Sequence, residues 1–179
     1  MIRIIYPEQK PAIKTENRKE YIFCIIRKRW MSITPEEWVR QNFLQYCIHV
    51  LQYPASLIAV EKQLLIGEMK KRFDIIVYKN SAPFIIVECK EMKVLLSEST
   101  IRRVLNYNSC VQAEYMVVTN GSFCAGFKKE ENRFVEINEI PFHKGAYVKN
   151  LSPQRLFYRA HPPPSREERA VPVQLFCIH

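Results

Sequence analysis

Residues 72–90, RFDIIVYKNSAPFIIVECK, constrain the fold more than any other stretch of the chain. Two runs rich in Ile, Val and Phe flank a short polar turn, and neither run alternates apolar with polar residues. Strands that are apolar on both faces belong inside a sheet covered by helices. Each run nevertheless carries a carboxylate, Asp74 in FDIIVY and Glu88 in FIIVECK. A hairpin centred on Ser81 sets residues whose numbers sum to 162 opposite one another and pairs Asp74 with Glu88. Directly paired strand residues hold their Cβ atoms about 4.5–5.5 Å apart on one face. Alternation then puts Lys90 with Glu88, while Cys89 points away.

The flanking segments supply the rest of a sheet and its cover. SITPEEWVRQNFLQYCIHVLQYP has Thr34 as N-cap, Pro35 at the first helical position and Glu37 three residues after the cap, the spacing of a capping box. Val39, Phe43, Tyr46, Cys47 and Val50 give that helix an apolar stripe, and Pro54 closes it. SLIAVEKQLLIGEM, KKRFDIIVY and FIIVEC read as three strands in an antiparallel meander. Residues 99–112 read as a second helix, and EYMVVTNGSFCAGF as two strands joined through Asn120 and Gly121. The runs IRIIY and YIFCIIRKRW are expected to form an N-terminal β-hairpin over residues 1–30. The expected architecture is α/β, a mixed β-sheet flanked by helices over residues 31–145, followed by a poorly ordered tail at 146–179 with three consecutive prolines.

Composition narrows the function classes. A chain of 179 residues, 47% hydrophobic, suits one domain with a substantial core. No apolar run approaches the roughly 20 residues that cross a bilayer, and the start is too short for a signal peptide, so the expected location is cytoplasmic, without a membrane partner. The six cysteines contain no CxxC pair and the four histidines show no ligand spacing, which argues against zinc and against a disulfide framework. A formal charge of +9 favours polyanions, nucleic acid first, although dispersed basic residues also fit an ordinary solvated surface. GSFCAGFKK has two glycines at P-loop spacing, but Phe127 stands where the lysine must be, so no Walker motif is expected.

Two carboxylates about 5 Å apart repel by about 3 kcal/mol at an effective dielectric of 20. Lys90 leaves a surplus negative charge, which a divalent cation removes; an oxygen-only site suits Mg²⁺ or Mn²⁺ better than Zn²⁺. The competing reading is an ion-pair cluster of Asp74, Glu88, Arg72 and Lys90.

The stretches LIAVEKQ, KKRFDIIVY and FIIVECK, with SITPEEWVRQNFLQY before them and LNYN and YMVVTNG after them, resemble the N-terminal domain of the type I restriction enzyme R subunit, in a short stand-alone form. The resemblance covers about residues 20–142 and implies a PD-(D/E)XK, restriction-endonuclease-like core. It implies that Asp74, Glu88 and the Cys89 carbonyl hold Mg²⁺ or Mn²⁺, and that Lys90 is the catalytic lysine of a DNA endonuclease hydrolysing phosphodiester bonds in a restriction or defence system. DNA and other restriction-modification subunits are the partners it implies, but no ATP-driven motor within this chain. A non-catalytic nucleic-acid-binding or assembly module on the same fold is the alternative. Relatives commonly carry glutamine four residues before a tyrosine on the second helix, where this chain has Arg103 before Tyr107. Such nucleases often place a glutamate on the first helix, which nominates Glu37, although the capping box accounts for it locally. Glu61 could face the same cleft or the solvent, and its place on an edge strand favours solvent; Lys70, Lys71, Arg72, Arg102 and Arg103 could follow a phosphate backbone, although Lys70 and Lys71, expected at a turn, equally fit an ordinary solvated rim.

Overall fold

The computed structural model describes residues 1–66, 68–108, 111–131 and 133–143. The expected tail at 146–179 lies outside the described residues.

A seven-stranded sheet runs through the molecule, and its main path has the order β1-β9-β8-β7-β6-β5. Its strands are β1 (Ile2–Arg3), β5 (Ile58–Ile66), β6 (Met69–Lys79), β7 (Ala82–Cys89), β8 (Tyr115–Thr119), β9 (Phe123–Glu130) and β10 (Arg133–Ile137). β10 pairs with β9 alongside β1, one at each end of that strand. Among the described residues only β7 and β8 run parallel, joined by the crossover that contains α2 (Glu98–Asn108). The sheet is therefore mixed, as the sequence implies, and consistent with a restriction-endonuclease-like core.

The N-terminal runs pair differently from the expected hairpin. IRIIY does not meet YIFCIIRKRW: β1 joins the edge strand β9, and Ile4 enters the core. YIFCIIRKRW folds back on itself as β3 (Lys19–Cys24) and β4 (Arg29–Ser32), and β2 (Ile13–Glu16) completes a separate three-stranded antiparallel sheet. The polar stretch between the two runs, read as a connection, thus contributes a strand. β10, also absent from the sequence reading, packs so closely that a Cβ added at Gly126 would lie 2.9 Å from Ile137 Cγ1.

Helix α1 (Pro35–Gln45) starts where Thr34 Oγ1 accepts from Glu37 N at 3.0 Å. It continues into a π-helical turn at Tyr46–Val50. Val39, Phe43, Leu44 and Cys47 pack against Ile75, Val77, Ile85, Val87 and Val117 on one face of the sheet. Ile101 and Leu105 of α2 cover the opposite face, over Phe73, Ile76, Ile86 and Met116. Burying Val or Ile side chains on both faces contributes about 1.5–3 kcal/mol for each, which is why β6 and β7 are apolar throughout.

The β6–β7 connection is the two-residue turn Asn80–Ser81, with φ of 50° and 64°. Its innermost pairs are Lys79↔Ala82 and Tyr78↔Pro83; a bulge after Val77 then shifts the ladder to Val77↔Ile85, Ile76↔Ile86 and Ile75↔Val87. The register that sums to 162 therefore holds at the end of the hairpin that carries Asp74 and Glu88. A one-residue bulge sets it there.

Among the described residues, no helix is long and apolar enough to cross a membrane.

Candidate active site

The strand ladders break at one level. β5 and β6 pair at Val60↔Ile75 and again at Lys62↔Phe73, and between these rungs stand Glu61, with φ of 49°, and Asp74. A positive φ at a non-glycine residue costs about 1–3 kcal/mol and persists only where its surroundings hold it. Alternation fails at the same level: Ile75 and Val77 face the α1 side, whereas Phe73 and Ile76 both pack on the α2 side. The break releases Asp74 from the ladder. Its Oδ2 accepts from Cys89 N at 2.8 Å and its Oδ1 from Arg40 Nη2 of α1 at 2.7 Å.

Glu88 stands between Val87 and Cys89, which both pack on the α1 side. Its Oε1 accepts from Lys90 Nζ at 2.8 Å. Burial and the charge of Asp74 push the Glu88 carboxyl up, and Lys90 offsets them only in part. Burial works against the Lys90 ammonium, but the hydrogen bond and charge of Glu88, with the charges of Asp74 and Glu36, outweigh it and raise its pKa. Lys90 N donates to Thr119 O at 2.8 Å, which fixes the backbone beneath it. The Cys89 thiol is fully buried in the core, and burial pushes it well up; only the backbone of this residue faces the site chemistry. The structure thus ties Asp74 to the Cys89 amide and Glu88 to Lys90.

Glu37 belongs to the same network, and the capping-box account covers only half of its contacts. Thr34 makes its side of the box, but the Glu37 carboxylate, 5% exposed, accepts from Arg27 Nη2 at 2.6 Å, Gln41 Nε2 at 2.7 Å and Arg40 Nη1. Arg40 reaches Glu36 Oε1 as well, at 3.1 Å. Arg40 is the hub, because one guanidinium holds Glu37 and Asp74 together and presents the five donors such bridging needs.

Glu61 does not face solvent as expected. It receives Arg27 Nη1 and lies 3.9 Å from Arg40 and 3.7 Å from Arg72. The ion-pair cluster envisaged from sequence exists with other members: Arg72, 65% exposed, touches only its rim, while Arg40 and Arg27 hold its centre. The basic rim is also revised. Lys71 is buried, with its Nζ 5.3 Å from the Phe73 ring centroid, and lies within β6 rather than in a turn. Arg102 pairs with Glu98 on the exposed side of α2, and Arg103 is exposed.

Arg27, Arg40 and Glu61 are the residues that sequence reasoning missed. Arg27 comes from the β3–β4 turn and bonds residues 10 and 34 positions away. A buried arginine on the apolar side of an amphipathic helix was the one available signal for Arg40.

The donor set can be tested against a divalent cation. The contacts above join five carboxylates (Glu36, Glu37, Glu61, Asp74 and Glu88) to three cations (Arg27, Arg40 and Lys90), or four with Arg72 at the rim. These five carboxylates outnumber the cations that pair with them, and burial first, then the charge of Asp74, raises the Glu88 carboxyl. Gln41 Oε1 is a buried acceptor without a donor among the described residues. Asp74 and Glu88 are hard oxygen donors of the kind that suits a divalent ion with its waters, while the cluster also holds a buried donor without a partner among the described residues, Arg40 Nε. Among the described residues, no three or more Asp, Glu, His or Cys side chains converge on one point, so such an ion would rely on Asp74, Glu88, a backbone oxygen and water.

Residues 35–141 match the family described as type I restriction enzyme R protein N terminus. No curated protein matches the chain. The family match begins at Pro35, so the three-stranded sheet and its Arg27 lie outside it.

Proposed function

The chain belongs to the type I restriction enzyme R protein N-terminal family, which gives it a role in restriction, and from that premise we propose that it hydrolyses phosphodiester bonds in DNA with Mg²⁺ or Mn²⁺. One observation carries the reading: Asp74 leaves its strand ladder to bind the amide of Cys89, between Glu88 and Lys90, in a buried cluster with surplus negative charge. Such clusters are costly to bury unless an ion or a function compensates.

Asp74, Glu88 and the Cys89 carbonyl would hold the ion. When bound, it would polarise the scissile phosphate and lower the pKa of a coordinated water. Lys90, with its pKa raised, keeps its proton at neutral pH and acts as a donor to the charge that develops on the phosphate oxygens rather than as a base. Arg40 positions Asp74, and Cys89 N fixes the other carboxylate oxygen, so the carboxylate cannot rotate away. DNA, and other subunits of a restriction-modification enzyme, are the partners that follow from the family.

A second reading, a binding or assembly module without cleavage, is favoured by the pairing of every carboxylate in the cluster with an arginine or lysine. The two are separated by incubating supercoiled plasmid with wild-type protein and with Asp74→Asn, in Mg²⁺, Mn²⁺ and EDTA. Nicking that needs the metal and Asp74 supports the nuclease; its absence in every condition leaves the binding module.

A further inference from the structure

The β2–β3–β4 sheet has two unlike faces. On the inner face Ile22 and Cys24 are fully buried beneath the main core. On the outer face the register sets Lys14 across from Tyr21 and Phe23 across from Trp30. Phe23 and Trp30 meet edge to face with centroids 5.3 Å apart, and Trp30 is 38% exposed. Lys14 Nζ lies 5.5 Å from the Tyr21 centroid and 5.2 Å from that of Trp30. Cross-strand aromatic packing explains how these rings stabilise a small sheet. It does not explain why three of them face outward.

We propose that this face is a stacking platform for single-stranded nucleic acid. Charge complementarity identifies the occupant: residues 10–32 carry six Lys and Arg besides Arg27, which pairs with Glu37 and Glu61, against Glu16, itself paired with Lys14, and Glu20. Lys10, Arg18, Lys19, Lys28 and Arg29 are exposed in this segment, and alternation along β3 puts Lys19 on the face of the rings. Aromatic rings interleaved with such cations bind unstacked bases and the phosphates between them. A duplex hides its base faces and gains only the phosphate contacts. An aliphatic protein surface would meet this net positive charge. Trp30 follows Arg27, which is bonded to Glu37 and Glu61, by three residues. The inference does not rest on cleavage, because it concerns a separate face of the chain.

The test uses the full chain in EDTA with a fluorescein-labelled 20-nucleotide oligothymidylate, read by anisotropy. Binding is expected to weaken steeply with salt, and Trp30→Ala to raise Kd about tenfold, the effect of losing one stacked base. Lys14→Gln should cost less and flatten the salt dependence. In a Trp38→Phe background the oligonucleotide should quench the emission of Trp30. Should Trp30→Ala lower the melting temperature, Trp30→Leu takes its place, since it keeps apolar cover without a ring. The measurement is made in EDTA, where metal-dependent cleavage does not occur, so failure of the nuclease reading is distinguishable from failure of this one. Unchanged affinity in the ring variants, equal competition by a duplex of the same length, or no binding of the oligonucleotide would each overturn the platform.

Discussion

Arg40→Met removes the hub of the charge cluster while keeping the volume and apolar stem of the side chain. The arginine side chain is 6% exposed and bonds Asp74 at 2.7 Å, Glu36 at 3.1 Å and Glu37. Taking one partner from a buried ion pair typically costs 3–5 kcal/mol, because the remaining charge is left uncompensated. Here the loss should fall near the lower end, about 3 kcal/mol, since Asp74 keeps the Cys89 amide and Glu37 keeps Arg27 and Gln41. Urea denaturation of a domain this size has a slope of about 2 kcal/mol/M, so the midpoint should drop by about 1.5 M. The variant also gains one unit of net negative charge at the cluster, which should favour a divalent ion. Mn²⁺ at about 100 times its Kd should restore up to about 2.7 kcal/mol, more than it adds to the wild type when both are compared at one concentration. A loss under about 1 kcal/mol, the range of exposed pairs, would refute the claim that the cluster is desolvated. A full loss that Mn²⁺ does not touch would refute the claim that its surplus charge is available to a cation.

Two further outcomes are expected. Burial and Asp74 raise the Glu88 carboxyl, so the folded state holds this proton more tightly than the unfolded chain, and stability falls as pH rises from about 4.5 through the raised folded value. Glu88→Gln should remove that decline, making the protein at least as stable as the wild type at pH 7.5 in EDTA by thermal melting, while plasmid nicking drops to background. Lys90→Met should slow metal-dependent cleavage by about 10² to 10³ with Mn²⁺ affinity nearly unchanged, as expected for the loss of one preorganised electrostatic contact. Single-turnover rates and titration calorimetry check it, and equal losses in both would make Lys90 a charge-balancing residue.

What the sequence determined by itself is what depends on near neighbours. The cap at Thr34 follows from Thr, Pro and Glu at fixed offsets, and the helix begins there. The apolar runs of β6 and β7 required helices on both faces, and α1 and α2 cover them. The register of β6 on β7 could be expected because hairpin register is a local property; it even survived a turn placed at Asn80–Ser81, since the bulge after Val77 returned the ladder to the expected frame. Tertiary structure decided the partners of the acids. Arg40 meets Asp74 across 34 positions, and Arg27 meets Glu61 across another 34. Nothing in the spacing of either pair marks it, because a contact between elements depends on how α1 and the β3–β4 turn dock, and on a flexible side chain that can reach several acids. The same holds for β1, a two-residue strand too short for its own sequence to specify a partner, which found the free edge of β9. Local hydrogen bonding and periodicity are written in adjacent residues; the charge balance of a buried cluster is settled only when distant segments compete for the same few carboxylate oxygens.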